Sequence, residues 1–336
     1  MSNIDYDKHY PKHCVRYYGW LPASKALKKL IAKESIKYFT LCAKQAIDVF
    51  MLELEGVILR DQNGKLPDVI ICEKEQRDVA EIFNLVRPPL KEAILVGDLA
   101  RILTFQDTEE TIGRSTDVDV RDRKIRKQLR NKALLERAKG YFPFDIINFD
   151  TDNNLLNPAI ENNRLYHSFN KIFELQDGIE VFLLFVTTPI NDIHPDTEAR
   201  LQGEFESNIS SHTEIRTALQ SSLGTVAYNQ IEEKKRIAIG FTKSVVISAA
   251  KTKGWGHKHH GIFVYESLSG RKMINSVVQF SKAHNIPDLS IYIEDIVRVI
   301  RLMPEYYSCD YASNNQEVRR HLDKIIKYRK KIRNEY

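Results

Sequence analysis

The chain has 336 residues, 43% hydrophobic and 28% charged, with 50 Lys and Arg against 45 Asp and Glu for a formal charge of +5. This composition folds around a sizeable core and excludes both a disordered tract and a collagen-like fibre. Glycine is scarce, 14 residues in all with none between Gly19 and Gly56, which excludes an ordinary glycine-rich nucleotide loop in that stretch.

Along the chain, Pro22 to Glu34 (PASKALKKLIAKE) predicts an amphipathic helix. Ser24 caps its start, and Ala26, Leu27, Leu30 and Ile31 share one face. IKYFTLCA (36–43) reads as a short buried strand leading into a helix over Ile47 to Glu55. After a turn at Asp61 to Lys65, DVIICE (68–73) is a strand ending in an acid, and the helix 75–86 is stopped by Pro88 and Pro89. AILVGD (93–98) repeats the pattern, the charged stretch 113–140 is a long helix, and FDIINFD (144–150) is a third strand ending in an acid. A helix around Ser168 to Leu175 precedes VFLLFVTT (181–188), the most apolar strand.

Beyond residue 190, helices are expected over roughly 197–208 and 226–250. The strands GIFVYES (261–267) and KMINSVVQF (272–280) are close enough to form an antiparallel hairpin, and residues 286–336 add helices. The fold class is therefore α/β, a doubly wound and mainly parallel sheet with a C-terminal antiparallel hairpin and extra helices. Its expected organisation is a helical lead-in (1–35), an α/β domain (36–285) with a basic insertion at 107–140, and a basic helical extension (286–336).

The charge is unevenly spread. Residues 113–140 carry a net +6 and residues 317–336 a net +5, leaving −6 for the rest. Basic clusters on an otherwise acidic chain are a footprint of nucleic acid or another polyanion, and the plain alternative is a pair of solvated helices. The longest clean apolar run, Val181 to Val186, is far short of the ~20 residues that span a bilayer, so no membrane partner is expected. The polar N-terminus and four scattered cysteines, Cys14, Cys42, Cys72 and Cys309, suggest the cytoplasm, with the cysteines as small buried hydrophobes.

Ligands of open α/β sheets bind outside the carboxyl ends of the strands. Here those ends are Cys42–Ala43, Glu73, Gly97–Asp98, Asn148–Asp150 and Thr187–Thr188. One acid at a strand end is usually a helix cap, but acids at three such ends point to a ligand that needs carboxylates. His257, His259 and His260 in GWGHKHHG lie too close together to converge on one ion, so a surface loop before a strand is expected there and no metal site. Hydrolase, Walker and kinase motifs are absent.

Over roughly residues 36–285 the chain resembles the class I S-adenosylmethionine-dependent methyltransferase superfamily. Five β–α units closed by a hairpin match that family's order, and ICEKE, LVGDLARIL and FDIINFD look like its ribose-binding, adenine-binding and catalytic-strand motifs. The resemblance implies a Rossmann-like methyltransferase fold with S-adenosylmethionine as cofactor. It places Leu41, Cys42 and Ala43 at the cofactor loop, Glu73 and Lys74 at the ribose, Gly97, Asp98 and Leu99 at the adenine, and Asn148, Asp150 and Asp152 beside the acceptor. YYGWLPASKALKKLI is similar to the leading helix of some nucleic-acid methyltransferases, and LCAKQAID with FDIINFD and LLFVTT is distantly similar to tRNA guanine-N2 dimethyltransferases.

Nucleic acid is thus the expected partner, held by Arg121, Arg123, Lys124, Arg126, Lys127 and Arg130, and by Lys327, Arg329, Lys330 and Lys331 of the tail. The first motif departs from the family: TLCAKQA stands where an acid and a glycine-rich turn let the backbone meet the cofactor. That departure keeps open a second expectation, a silent methyltransferase-like module that binds nucleic acid or protein. A nicotinamide enzyme is disfavoured by the absent GxGxxG and by the hairpin.

Overall fold

The computed structural model describes residues 8–41, 45–103, 118–151, 154–155, 164–191, 193–242, 254–282, 289–302 and 305–335. It contains one sheet of β1 (Tyr38–Thr40), β2 (Val69–Glu73), β3 (Ile94–Val96), β4 (Ile146–Asp150), β5 (Val181–Pro189), β6 (Trp255–Glu266), β7 (Lys272–Lys282) and β8 (Glu305–Tyr307). The spatial order is β3-β2-β1-β4-β5-β7-β6-β8. The first five strands pair in parallel, and β7 runs antiparallel between β5 and β6. The order reverses between β1 and β4, the switch point at which an open sheet forms a crevice.

The helices, in chain order, are α1 (Tyr10–Val15), α2 (Leu21–Ile31), α3 (Ile47–Leu54), α4 (Val79–Val86), α5 (Leu99–Leu103), α6 (Val118–Tyr141), α7 (Arg164–Leu175), α8 (Pro195–Ser211), α9 (Thr213–Leu223), α10 (Glu233–Phe241), α11 (Leu289–Leu302), α12 (Cys309–Asn314) and α13 (Gln316–Glu335). A π-helical turn, Arg16–Trp20, joins α1 to α2.

The strands are apolar on both sides because both sides are covered. Tyr38, Ile71, Ile146 and Phe185 face a core built with α3, α4, α2 and α13, whereas Phe39, Ile70, Ile147 and Leu184 face one built with α5, α6 and α7. The pleat enforces that alternation. A smaller cluster of Phe205, Ile215, Leu219, Ile296 and Ile300 joins α8, α9 and α11. No helix of the described residues is long and apolar enough to cross a membrane.

Several expectations need correction. The buried side of α2 is Leu21, Ala23, Ser24 and Leu27, while Ala26 and Leu30 are exposed. The helix runs on unbroken from the preceding π turn, and its packed face starts at Trp20 and Leu21. Ser24 donates back to the Trp20 carbonyl at 2.7 Å instead of capping. Strand β6 starts six residues earlier than expected and absorbs the histidine motif. The hairpin is not the end of the sheet, because β8 adds a parallel edge to β6. Helix α9 occupies residues with no foreseen element, and α10 covers only part of 226–250, of which 243–250 lies outside the described residues. Of the cysteines, Cys14 and Cys72 are buried but Cys309 is exposed.

The terminal helices share the first core with the sheet: Val15, Trp20 and Leu27 belong to it together with Val318, Leu322 and Ile325. Two glycines make their entry possible. A Cβ on Gly19 would come within 2.4 Å of the Phe263 ring, and one on Gly261 within 2.7 Å. The pair leaves a slot for that ring. A buried histidine chain fastens the same face. His321 Nε2 lies 3.2 Å from Glu55 Oε1, and His13 Nε2 lies 3.1 Å from His321 Nδ1. If His321 gives its one neutral-ring proton to Glu55, its Nδ1 must accept from His13, so both rings are held neutral.

Gly19→Ala should lower the unfolding free energy by about 1–3 kcal/mol through overpacking. Gly140→Ala, in α6 with nothing within 4 Å of its Cβ, should raise it by about 0.5–1 kcal/mol. Equal responses in urea titrations would contradict the slot.

Acid should destabilise the fold through the histidines. Burial, aided by Lys12 and Arg16, pushes His9 from 6.5 down to about 3. Burial likewise holds His13 well below and His321 below the ordinary range. In each case the unfolded chain binds the proton more readily, so stability falls as pH drops below about 6.5. At pH 5 the loss is about 2 kcal/mol from His9. Denaturant curves at pH 7 and pH 5 should show His9→Gln losing about 2 kcal/mol less than the parent.

Candidate functional site

The carboxyl ends of β1 and β4 meet in register, Thr40 opposite Asn148. The pleat that sends Phe39 to one face sends Tyr38 and Thr40 to the other, beneath the first turn of α3. There Asp48 accepts hydrogen bonds from Tyr38 Oη at 2.6 Å, Thr40 Oγ1 at 2.7 Å and Asn148 Nδ2 at 3.3 Å. Asn148 Nδ2 also donates to Thr40 Oγ1 at 3.1 Å. An acid in a first helical turn is favoured by the helix dipole. Asp48 is 3% exposed and Asn148 2%. Burial, followed by the Asp48 charge, raises the Tyr38 hydroxyl well above its usual range. Asn148 Oδ1 is buried and has no hydrogen-bond partner among the described residues.

Asp150, at the last position of β4, is ion-paired with Lys12 Nζ from α1, both largely shielded. Thr151 N donates to the Thr187 carbonyl at 3.0 Å and carries the pairing of β4 and β5 one step further. Leu41 N donates to the Asn148 carbonyl at 3.4 Å. Ala46, which starts α3, has φ +47°, a left-handed conformation costing an alanine about 1–2 kcal/mol. It closes the loop for which the resemblance calls for glycine. Cys42 and Ala43 of that loop, and Asp152 after β4, lie outside the described residues.

At the end of β2, Glu73 is 8% exposed and its carboxyl is raised above the ordinary range by burial, with its Oε1 accepting from Glu75 N at 2.8 Å. Lys74 beside it points to solvent. Gly97 N donates to the Glu73 carbonyl at 2.9 Å, and Gly97 has φ +156°, where the chain turns from β3 into α5. Asp98 is half-buried there, while Leu99 is packed in the second core with Ile102 and Leu103. Burial, then the Glu73 and Asp98 charges, raises the Cys72 thiol.

The structure therefore brings Leu41, Glu73, Gly97, Asp98, Asn148 and Asp150 to one edge of the sheet, with Asn148 turned into the interior and Leu99 absorbed by the core. Glu73 and Asn148 stand on strands either side of β1, Asn148 level with Ile71 and Glu73 two residues further along, roughly 12 Å apart by strand geometry. Of the basic candidates, Arg126, Lys127 and Arg130 project from α6, and Lys327, Lys330 and Lys331 from α13. Arg329 donates to the Gln45 carbonyl at 3.3 Å, which sets the end of α13 against the loop after β1. Arg121, Arg123 and Lys124 lie in α6, but their side chains are outside the described residues.

Sequence reasoning missed Asp48 and Lys12. An acid in the first turn of α3 is a local signal that was available for Asp48. Lys12 is 138 residues from its partner, and nothing local announces it. The histidine motif is also corrected: His257 and His259 are buried in β6 around Asp295 of α11 and do not form a surface loop. His259 Nδ1 is 2.6 Å from Asp295 Oδ2, and His259 N donates to Oδ1 at 3.2 Å. His257 Nε2 is 3.1 Å from the same Oδ2, in ion-pair range without hydrogen-bond alignment. Burial works to raise Asp295, but His259 and His257 override it and hold the carboxyl low. No metal-holding group of three His, Cys, Asp or Glu is found among the described residues.

No protein-family model matches the chain, and no curated protein matches it.

Asp48→Ala would strand the buried Tyr38 and Thr40 hydroxyls, each costing about 1–3 kcal/mol, and leave Asn148 Nδ2 bonded to Thr40 alone. The unfolding free energy should fall by about 3 kcal/mol or more, and by clearly less in Asp48→Asn, which keeps one acceptor. Chemical denaturation of the two variants checks the order.

Proposed function

We propose that this chain is a methyltransferase-like protein that binds S-adenosylmethionine at the carboxyl edge of β1 to β4 and acts on nucleic acid. The carrying observation is the sheet: five parallel strands reversing between β1 and β4, closed by a hairpin whose second strand lies against β5. That arrangement is what the resemblance to class I methyltransferases calls for. The residues at its edge fit the group. Glu73 offers a shielded carboxylate for ribose hydroxyls, Gly97 would let the chain pass close to a base, and Asp98 would accept from its exocyclic amine.

When bound, the cofactor supplies a methyl already activated on a sulfonium, so the protein's share is alignment and exclusion of water. Asn148 Oδ1, a buried acceptor with no donor among the described residues, suits an amine N–H of the acceptor. Asp150 would take the departing amine proton, with Lys12 moving aside from its ion pair.

The ion pair also favours a second reading. With Asp150 engaged by Lys12 and Asn148 buried, the same fold could serve as a nucleic-acid-binding module without transfer. Calorimetry with S-adenosylmethionine separates the two. The enzymatic reading expects binding that weakens at least tenfold in Glu73→Ala or Asp98→Ala, and transfer of labelled methyl to RNA or DNA. No heat at millimolar cofactor, with nucleic-acid binding intact in both variants, would leave the module.

A further inference from the structure

The tertiary structure gathers cations that are distant in sequence. A cleft of about 410 Å³ is lined by Lys25, Lys28, Lys29 and Lys33 of the α2 region with Glu55 and Gly56. A second, of about 620 Å³, lies between α2 and α13 and is lined by Tyr17, Tyr18, Lys25, Arg320 and Lys324, among others. Lys25 and Glu55 belong to both, so the two form one groove. Its cations are the four lysines with Arg320 and Lys324, opposed by Glu55 and Glu317. Lys25 pairs with Glu55 at 2.5 Å and Lys33 with Asp145 at 2.6 Å. Lys29 and Lys324 are exposed and make no ion pair among the described residues.

The wall at the α13 end is aromatic. The π turn sets Tyr17 and Tyr18 edge to face at 5.0 Å, and Tyr18 continues through Tyr307 to Tyr311 at ring separations of 6.1 and 5.9 Å. Tyr18 is 37% exposed and Tyr311 55%. π turns are often found at functional sites. Lys25, Lys28 and Lys29 lie within one turn of α2, about 6 Å of helix or roughly two stacked nucleotides, and Lys33 follows just past its end. Exposed aromatic rings beside such a row accept unpaired bases, whereas a duplex keeps its base faces stacked inside.

We propose that this groove holds a single-stranded nucleic acid, with phosphates along Lys25, Lys28, Lys29 and Lys324 and a base against Tyr18. The assignment rests on the nucleic-acid reading above and relocates its interface: the strand enters over α2, which composition did not single out, and α13 leads from Arg320 to Arg329 at the loop after β1. The chemistry that recognises it is a phosphodiester chain with exposed base faces.

Fluorescence anisotropy of a labelled 20-nucleotide single strand, as RNA and as DNA, tests it on the full chain. The triple variant Lys29→Gln, Arg320→Gln, Lys324→Gln changes only exposed side chains, and its melting temperature should match the parent's. Affinity at 0.1 M salt should fall at least tenfold, and the slope of log affinity against log salt should shrink by about 2, since each single-strand phosphate contact contributes ~0.7. Tyr18→Ala should weaken the single strand at least threefold and leave duplex binding unchanged. Loss of binding only in Arg126→Gln, Lys127→Gln, Arg130→Gln would overturn the groove and leave the nucleic-acid reading standing. No binding of any oligonucleotide at low salt would overturn the reading itself. An equal effect of Tyr18→Ala on duplex, or lysine-dependent capture by anionic phosphatidylserine vesicles in place of oligonucleotide, would overturn the single-strand assignment.

Discussion

A carboxylate buried at the switch point holds this architecture in register. Where β1 and β4 meet, the sheet is covered on both sides, and water cannot satisfy the hydroxyls of Tyr38 and Thr40 or the amide of Asn148. Asp48 takes hydrogen bonds from all three. One side chain thereby ties the start of α3 to two strands that are more than a hundred residues apart. Any slip of β1 by one residue would turn Tyr38 and Thr40 to the opposite face and leave the carboxylate without donors. The same network fixes where the crevice of the sheet opens.

The second constraint is the closure of both chain ends over one face. Phe263 passes between Gly19 and Gly261, and the His13–His321–Glu55 chain links α1 to α13 and the end of α3. Apolar residues fill most of that interface, and α2 and α13 keep their lysines and arginines on the outside. The groove is thus a by-product of apolar packing: two amphipathic helices dock by their greasy sides and present adjacent basic sides.

Groove and sheet edge are connected by a rigid element. Helix α13 lies along α3, with His321 at the Glu55 end and Arg329 at Gln45. A ligand held between α2 and α13 would therefore have a helical path to the loop after β1. The Lys12–Asp150 pair ties the N-terminal helix α1 to the carboxyl end of β4.

Much of the sheet was legible in the sequence because its signals are local. DVIICE, AILVGD, FDIINFD and VFLLFVTT are apolar runs bounded by turns, and the acids that close the first three mark the strand ends where Glu73, Asp98 and Asp150 are found. The exposed basic faces of α6 and α13 were legible as charge clusters. The face of α2 was not, because it is set by the core that Trp20, Leu21 and Leu27 join, and neither was the strand character of His257 and His259, whose burial depends on Asp295 some 36 residues away. The sequence by itself determined the alternation of strands and helices and the chemistry available at each strand end, since hydrophobic period and turn residues act within a few positions. Only the tertiary structure decided that Lys12 meets Asp150, that Asn148 turns inward to Asp48, and that the lysines of α2 join the tail in one groove. Those pairings are set by which faces pack together across long stretches of chain, and no local pattern encodes that choice.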